Sequence, residues 1–473
     1  MGDSPVGTAG ARRTGGGPTA TPVRWRLAAL GILVGGTGIG AAAAGGGGSR
    51  WLVLGSLIVV IGGLLPILVA SRRPPIGPDP EPPPGTPLPM VTVIVAARDE
   101  AAVLPTLIRD IAAQDHRRPD GSPNFEILVV DDRSVDGSAA AVASAAAAIP
   151  LSDGVLRVIR RDGPDLPDGK GAALTAAPPE ICRGEMILVL DADARIGPTF
   201  LRRLARYAAA GVPAVTARRR ILDAGSSHLA GAQADEQAQD GELQRGRWAS
   251  GGCSEFRGNG IAIRRDLLAA VGGWRAAALT EDLDLSSRLA AARGVSVAWA
   301  IDLEVWEQPV RSWAGLWRQR LRWSEGALRR LFEHGAAVLS SPRLSIRARW
   351  DFAVYAAQLL APPLIVGAVV GAAATGSATM AAALFATYLG AGGVLAFDAL
   401  RWDIGADGRS PGLVARVLRA ARAAAFGAVW LAAVPGALWR LGTRRGPVRY
   451  DKMAHVSADP EGAEAGVAGA PQP

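Results

Sequence analysis

Trp51 to Ala70 is an uncharged, predominantly apolar run. At about 1.5 Å per helical residue, it is long enough to cross the hydrocarbon core of a bilayer. It constrains the fold more than any other stretch, because a chain in lipid must satisfy its backbone polar groups within the segment, and a helix does so. Leu27 to Gly48, uncharged but rich in Gly and Ala, precedes it, and the two runs read as crossings that turn near Ser49-Arg50. A cleaved signal peptide is the less favoured reading of the first run, since the second would still anchor the chain. Arg12, Arg13, Arg24 and Arg26 lie before the pair and Arg72 and Arg73 after it, so both flanks read as cytoplasmic.

Phe352 to Ala374 and Ala381 to Phe397 form a second apolar pair, flanked by Arg347, Arg349 and Arg401. The last run, Ala423 to Trp439, is followed by Arg440, Arg444, Arg445 and Arg449. A single crossing there would put those arginines outside. The segment therefore reads as re-entrant or interfacial, with a fifth crossing as the competing reading. Arg416, Arg419 and Arg422 recur at helical spacing opposite Leu413, Val417 and Leu418, an amphipathic pattern. The expected organisation is a disordered basic N-terminus over 1–26, two transmembrane helices over 27–72, a proline-rich linker over 73–89, a cytosolic domain over 90–335, transmembrane and interfacial helices over 336–450, and a disordered tail over 451–473. A multi-pass protein of the cell membrane with its central domain in the cytoplasm follows from that arrangement.

The net charge of +8 comes mostly from arginines, many beside the apolar runs. It suits anchoring against anionic lipid and attraction of a phosphate-bearing donor. No basic stripe with interleaved aromatics and no zinc-finger spacing points to nucleic acid. Two cysteines, Cys182 and Cys253, make no disulfide framework.

Between the apolar ends, Val91 to Ala97 reads as a buried strand, Ala101 to Ala113 as a helix, and Phe125 to Val130 as a strand with a helix from Gly137. Val155 to Ile159 and Met186 to Leu190 are further strands. Alternation of this kind predicts an α/β domain with a mostly parallel sheet flanked by helices. Ligands of such sheets bind at the carboxyl ends of the strands.

Acids lie just there. Asp131-Asp132 follows one strand, where a carboxylate can accept from a base or ribose or cap the next helix. Asp191-Ala192-Asp193 puts two carboxylates on one side of an extended segment. Mg²⁺ or Mn²⁺ would bind there and leave sites for substrate phosphate. Thr280-Glu281-Asp282 opens a helical pattern over Leu283 to Ala292. Asp282 is either a base for an acceptor hydroxyl or part of an acidic first turn. Gln319, Arg322 and Trp323 share one face of a basic, Trp-rich helix. They suit grip on phosphate and stacking on a sugar, or an interfacial helix. Lys170 is open between a phosphate contact and a surface lysine, and Trp274 between a cover for an acceptor sugar and a core side chain.

In order, VIVAARDE at 93–100, VVDDRSVDGS at 129–138, GKGAAL at 169–174, LDADA at 190–194, GGW at 272–274, TEDLDL at 280–285 and QRLRW at 319–323 resemble the family-2 glycosyltransferases. The resemblance is to the membrane-embedded branch that includes cellulose, chitin, hyaluronan and poly-N-acetylglucosamine synthases. It implies a GT-A fold and inverting transfer from a nucleotide-sugar, UDP-linked in that branch, to a glycan or lipid acceptor. Carried over by position, Ala97, Glu100 and Asp132 would contact the nucleoside. Lys170 and Asp191 would face the nucleotide-sugar, and Asp193 would ligate the metal. Asp282 would be the base. Glu281, Trp274, Gln319, Arg322 and Trp323 would hold the diphosphate and acceptor. Thr175 stands where many relatives carry Asn. Extension of a β-linked polysaccharide is the expected activity, with addition of one sugar to a membrane lipid as the alternative. A non-catalytic nucleotide-sugar receptor and a nucleotidyltransferase are remoter: the first would lack Asp193 or Asp282, and the second has no role for Gln-x-x-Arg-Trp.

Overall fold

A computed structural model of the chain describes residues 21–45, 49–72, 82, 86–148, 154–163, 165–376, 378–405 and 408–444. Most of the linker at 73–89, the tail from 451 and the first 20 residues, all expected to be irregular, lie outside the described residues. Near the N-terminus, α1 (Val23–Gly45) starts inside the stretch expected to be disordered to residue 26, and α2 (Ser49–Ser71) follows. Trp25 packs on Phe332 at 6.5 Å, which gives the first turn of α1 a tertiary partner.

The central domain is one eight-stranded sheet of order β3-β2-β1-β4-β7-β6-β8-β5. The strands are β1 (Val91–Ala97), β2 (Phe125–Asp132), β3 (Leu156–Arg161), β4 (Met186–Asp191), β5 (Arg195–Ile196), β6 (Ala214–Ile221), β7 (Ile261–Arg264) and β8 (Ala298–Glu307). β3, β2, β1 and β4 run parallel, whereas β7 is antiparallel to both β4 and β6, so the sheet is mixed. Alternate residues of β1 serve opposite faces: Val91, Val93 and Val95 join one apolar cluster and Ile94 the other. Burial on both faces is why these strands read as continuous apolar runs.

Among the described residues, eight α-helices belong to this domain: α3 (Leu104–Ala112), α4 (Ser138–Ala147), α5 (Lys170–Leu174), α6 (Phe200–Ala209), α7 (His228–Ala249), α8 (Arg265–Ala270), α9 (Glu281–Arg293) and α10 (Trp313–Leu339). α3 buries Leu104, Leu107, Ile108 and Ile111, the i, i+3, i+4, i+7 stripe of an amphipathic helix. Ser227 caps α7 by accepting from the Ala230 amide at 3.0 Å, and Ser312 caps α10 by accepting from Gly315 at 3.1 Å. α9 opens with Glu281, Asp282 and Asp284, acids favoured by the helix dipole.

α11 (Ile346–Thr375), α12 (Ala378–Ala399), α13 (Leu413–Gly427) and α14 (Val429–Thr443) follow. By length and composition, four helical stretches among the described residues could cross a membrane: Val23–Ala44, Ile346–Thr375, Ala378–Trp402 and Leu413–Thr443. α1 and α11 pack backbone to backbone. A Cβ on Gly40 would overlap the Leu364 carbonyl, and one on Gly367 would overlap Thr37. Small residues at such crossings let helices meet without a hydrophobic drive, as lipid requires. The last run is two consecutive helices that meet at Ala428.

Candidate active site

Parallel pairing brings three strand ends together. Ala97 of β1 lies in register with Asp131 of β2, and Ala96 with Asp191 of β4. Beyond them opens a cleft of about 690 Å³. Ala97, Glu100, Asp132, Lys170, Asp191, Asp193, Glu281, Asp282, Gln319, Arg322 and Trp323 all line it. Residues more than 200 positions apart in the chain therefore share one wall because the sheet order and α9–α10 fold them there.

At the strand ends, Asp132 is held by Arg133 at 3.0 Å and Arg161 at 2.8 Å. Asp131 instead accepts from Arg160 at 2.6 Å and from the Ser134 amide at 3.1 Å. Neither acid caps the next helix, whose N-cap is Gly137 with no side-chain bond; Asp131 ties the strand end to the Ser134 turn, and Asp132 lines the cleft. Asp99 and Arg133 adopt φ of +52° and +61°, the left-handed region. Asp99 ties its turn to the neighbouring loop by accepting from the Val135 amide at 2.8 Å.

Asp191 and Asp193 flank a buried Ala192, so both carboxylates lie on the cleft side. The Asp191 amide donates to Asn259 Oδ1 at 3.1 Å, and Asp193 accepts from the Gln308 amide at 3.2 Å. Lys170 is not a surface lysine. Its ammonium donates to Asp191 at 2.5 Å and to the Gly258 carbonyl at 2.6 Å, and lies 3.4 Å from Glu281. Burial opposes its charge, but Asp191 and Glu281 outweigh that and hold its pKa above the usual range. Two hard carboxylates facing open cleft, with a lysine tied to one of them, fit a divalent cation that also needs phosphate oxygens.

Asp282 stands in the first turn of α9, beside Glu281. Burial, followed by the Glu281 charge, pushes its carboxyl up to about 7. That value suits a base working near neutrality.

At the other end, Trp323 is fixed from behind. The buried Arg320 guanidinium lies 4.3 Å from its ring and forms an ion pair with Glu236 of α7. Glu236 also accepts from the Trp430 indole at 2.8 Å. Arg219 of β6 lies 5.5 Å from the Trp323 ring and pairs with Glu307 at 2.5 Å. Arg257 donates to Asp240 at 2.7 Å and to the Tyr355 hydroxyl at 2.9 Å. Glu236, Asp240, Arg257, Glu307 and Tyr355 all line the cleft, and sequence reasoning singled out none of them. Glu236 and Asp240 lie on the polar α7, Arg257 in a loop, Glu307 at the end of β8 and Tyr355 on α11, and none of these settings separates a cleft residue from a solvated one in the sequence.

Trp274 does not line the cleft. It is 6% exposed and packs in the apolar cluster with Phe256, Leu285 and Leu289. The Gly272-Gly273 turn, with φ of +85° and +69°, directs it into the core, so the sugar-covering option is replaced by packing. Among the described residues, Asp284, Glu333 and His334 also cluster closely enough to suggest a cation. Arg275 already supplies one, at 2.9 Å from Asp284 and 3.2 Å from His334.

A sequence profile described as glycosyltransferase like family 2 matches residues 88–326. The chain is 33% identical over 273 residues to the beta-monoglucosyldiacylglycerol synthase of Trichormus variabilis, covering 57% of this chain and 55% of that protein. It is 32% identical over 257 residues to the synthase of the same name from Synechocystis, covering 54% of this chain and 51% of that one. The chain therefore spans about half the length of the curated relatives it matches. Among solved structures it is similar to the mannosyltransferase PcManGT from Pyrobaculum calidifontis in complex with GDP-Man and Mn²⁺. That likeness, at 23% identity and a TM-score of 0.51 over 88% of this chain and 99% of that one, is one of fold.

Proposed function

The chain belongs to glycosyltransferase family 2, and we propose that it moves one sugar from a UDP-sugar to a hydroxyl of a membrane lipid of the diacylglycerol class. The observation that carries this is the shape of the cleft. It begins at the strand ends that bear Asp132 and Asp191 and continues to Tyr355, Leu359 and Pro362 of α11, Tyr388 of α12 and Val434 of α14. A polar donor thus has acids and arginines at one end, and an acceptor with acyl chains has apolar helices at the other. Relatives named for a glucosyl-diacylglycerol product support the same acceptor. Extension of a polysaccharide, which the resemblance favoured, has no such support.

In this reading α1, α11 and α12 cross the bilayer of the cell membrane together with the shorter apolar stretch Leu54–Ala70 of α2; α13 and α14, long enough together to cross but broken at Ala428, lie at or within its cytoplasmic side, and the domain over 90–335 faces the cytoplasm. Ala97, Glu100 and Asp132 hold the nucleoside, and Lys170 and Asp191 fix the diphosphate side. Asp193 would hold Mg²⁺ or Mn²⁺, which supplies positive charge to the departing diphosphate. Arg322 neutralises the same phosphates, Gln319 donates a hydrogen bond to them, and Trp323 stacks on the sugar. Burial, with the Glu281 charge behind it, keeps the Asp282 pKa high. Asp282 takes the proton of the acceptor hydroxyl while its oxygen attacks the anomeric carbon. The bond from that carbon to the diphosphate oxygen breaks with its electron pair on the nucleoside diphosphate. Attack opposite the leaving group converts an α-linked donor into a β-glycoside.

The test is to give the reconstituted protein radiolabelled UDP-sugars with diacylglycerol and to separate the products by thin-layer chromatography and size. A single labelled glycolipid is expected; a ladder of long glycans formed without lipid acceptor would overturn the proposal.

A further inference from the structure

Behind the cleft, across β6, lies a second cavity of about 410 Å³. Its lining includes five arginines, Arg218, Arg219, Arg220, Arg419 and Arg422, against two carboxylates, Asp223 and Asp403. Three further acids sit behind the guanidiniums and align them. Asp235 holds Arg419 and Arg422, both at 2.7 Å; Glu304 holds Arg218 at 3.1 Å and Arg220 at 2.8 Å; Glu307 holds Arg219. Asp403 bridges Arg220 at 3.0 Å and Arg419 at 2.6 Å. A guanidinium carries five N–H donors in a rigid fork, so a carboxylate on one edge orients the others toward a different acceptor. Arg220 is also stacked 4.6 Å from the Trp306 ring.

One wall of this cavity is α13, and its two faces differ in kind. Leu413, Val414, Val417 and Leu418 are between 51% and 72% exposed. Arg419 and Arg422 turn inward to the cavity. On the topology proposed above, α13 lies in the interfacial plane of the bilayer with that apolar face outward, which sets the cavity at headgroup depth.

We propose that this cavity binds the phosphodiester headgroup of an anionic phospholipid, with the acyl chains running along the apolar face of α13. Phosphate oxygens are the acceptors that match several converging guanidiniums, and basic pockets beside membrane helices on the cytoplasmic side take such headgroups. Arg219 lines both this cavity and the catalytic cleft, so an occupied headgroup site touches the wall that carries Trp323. The inference is independent of the acceptor assigned above, because binding is read without turnover.

The experiment uses the full chain, delipidated and placed in phosphatidylcholine nanodiscs, titrated with phosphatidylglycerol and read by native mass spectrometry of retained lipid. Arg220→Gln and Arg422→Gln are each expected to weaken retention roughly fivefold, the size of one basic residue's attraction to an anionic leaflet. Ala238→Leu narrows the cavity from α7 without altering charge and should weaken it comparably. Arg416→Gln, on the same helix but bonded to the Phe397 carbonyl at 2.6 Å, should leave it unchanged. Equal retention by wild type and by Ala238→Leu, with unchanged circular dichroism, overturns the site. Inorganic phosphate bound in neutral discs as tightly as phosphatidylglycerol overturns the lipid and leaves a soluble anion as occupant.

Discussion

The two ends of the cleft are built by different means. The donor end is made of strand termini: Ala97, Asp132 and Asp191 are there because parallel pairing aligns the ends of β1, β2 and β4. Each residue stands next to an apolar run that announces it. The membrane end is made of long-range charge pairs. Glu236 of α7 meets Arg320 of α10 and Trp430 of α14, and Arg257 meets Tyr355 of α11. A site of the first kind is fixed by the core of one domain. A site of the second kind depends on how the domain docks on its helices.

The comparison predicts that damage at the donor end removes chemistry and damage at the membrane end removes acceptor binding. Chelation should have the largest effect: transfer falls to background in EDTA and returns with Mg²⁺ or Mn²⁺, measured as labelled product. Full turnover in EDTA would take the metal away from Asp193 and leave Lys170 and Arg322 as the charges on the diphosphate. Next is Asp282→Asn, expected to lower kcat on the order of 10³-fold, the scale of a lost general base, while UDP-sugar affinity by calorimetry stays within about twofold. The wild-type rate should also fall as pH drops below about 7, because burial and Glu281 raise the Asp282 pKa to that value and only the ionised carboxylate takes a proton. A flat profile from pH 5 to 8 would place the base elsewhere.

Glu236→Gln probes the other end. It leaves Arg320 buried beside Trp323 without its counter-charge and weakens the tie to Trp430. The expected effect is about a tenfold rise in KM for the lipid acceptor, with KM for the donor little changed, since an unpaired buried charge loosens the wall it supports. An equal rise in both would mean that the cleft behaves as one unit and that the division drawn here is false.

Legibility followed the same division. The apolar runs gave β1, β2 and β4, and the acids at their ends fell at the cleft, as did Glu281 and Asp282 at the start of α9. β6 escaped because its sequence, Ala-Val-Thr-Ala-Arg-Arg-Arg-Ile, has as much charge as apolar surface. α7 escaped because it buries Asp235, Glu242, Arg245 and Arg247, whose partners are mostly on other elements or paired within the helix, so it shows no apolar stripe. Trp274 failed in the opposite sense: a two-glycine turn precedes both a sugar-stacking and a core tryptophan, and only the direction of the turn separates them. Interior pairing among distant elements leaves no periodic trace, and the membrane end consists mostly of such pairs.

The smallest effect is one of stability, and it tests whether the donor end holds strain for the sake of chemistry. The Asp282 carboxyl ionises near pH 7 in the folded protein, against about 4 for an unfolded aspartate. Folding therefore favours its protonated form, and the stability that form contributes is present below about pH 4 and is lost as pH rises through about 7. Asn resembles the protonated acid and carries no charge at any pH. Asp282→Asn should therefore melt within about 1 °C of wild type at pH 5 and a few degrees above it at pH 8, by differential scanning fluorimetry in detergent. Neutralising Glu236 at the membrane end should lower Tm at both pH values, because that carboxylate compensates a buried arginine instead of opposing a neighbouring acid. If Asp282→Asn gained nothing at pH 8, the carboxylate would be as well solvated there as in the unfolded chain, and its fitness as a base would have to come from position alone.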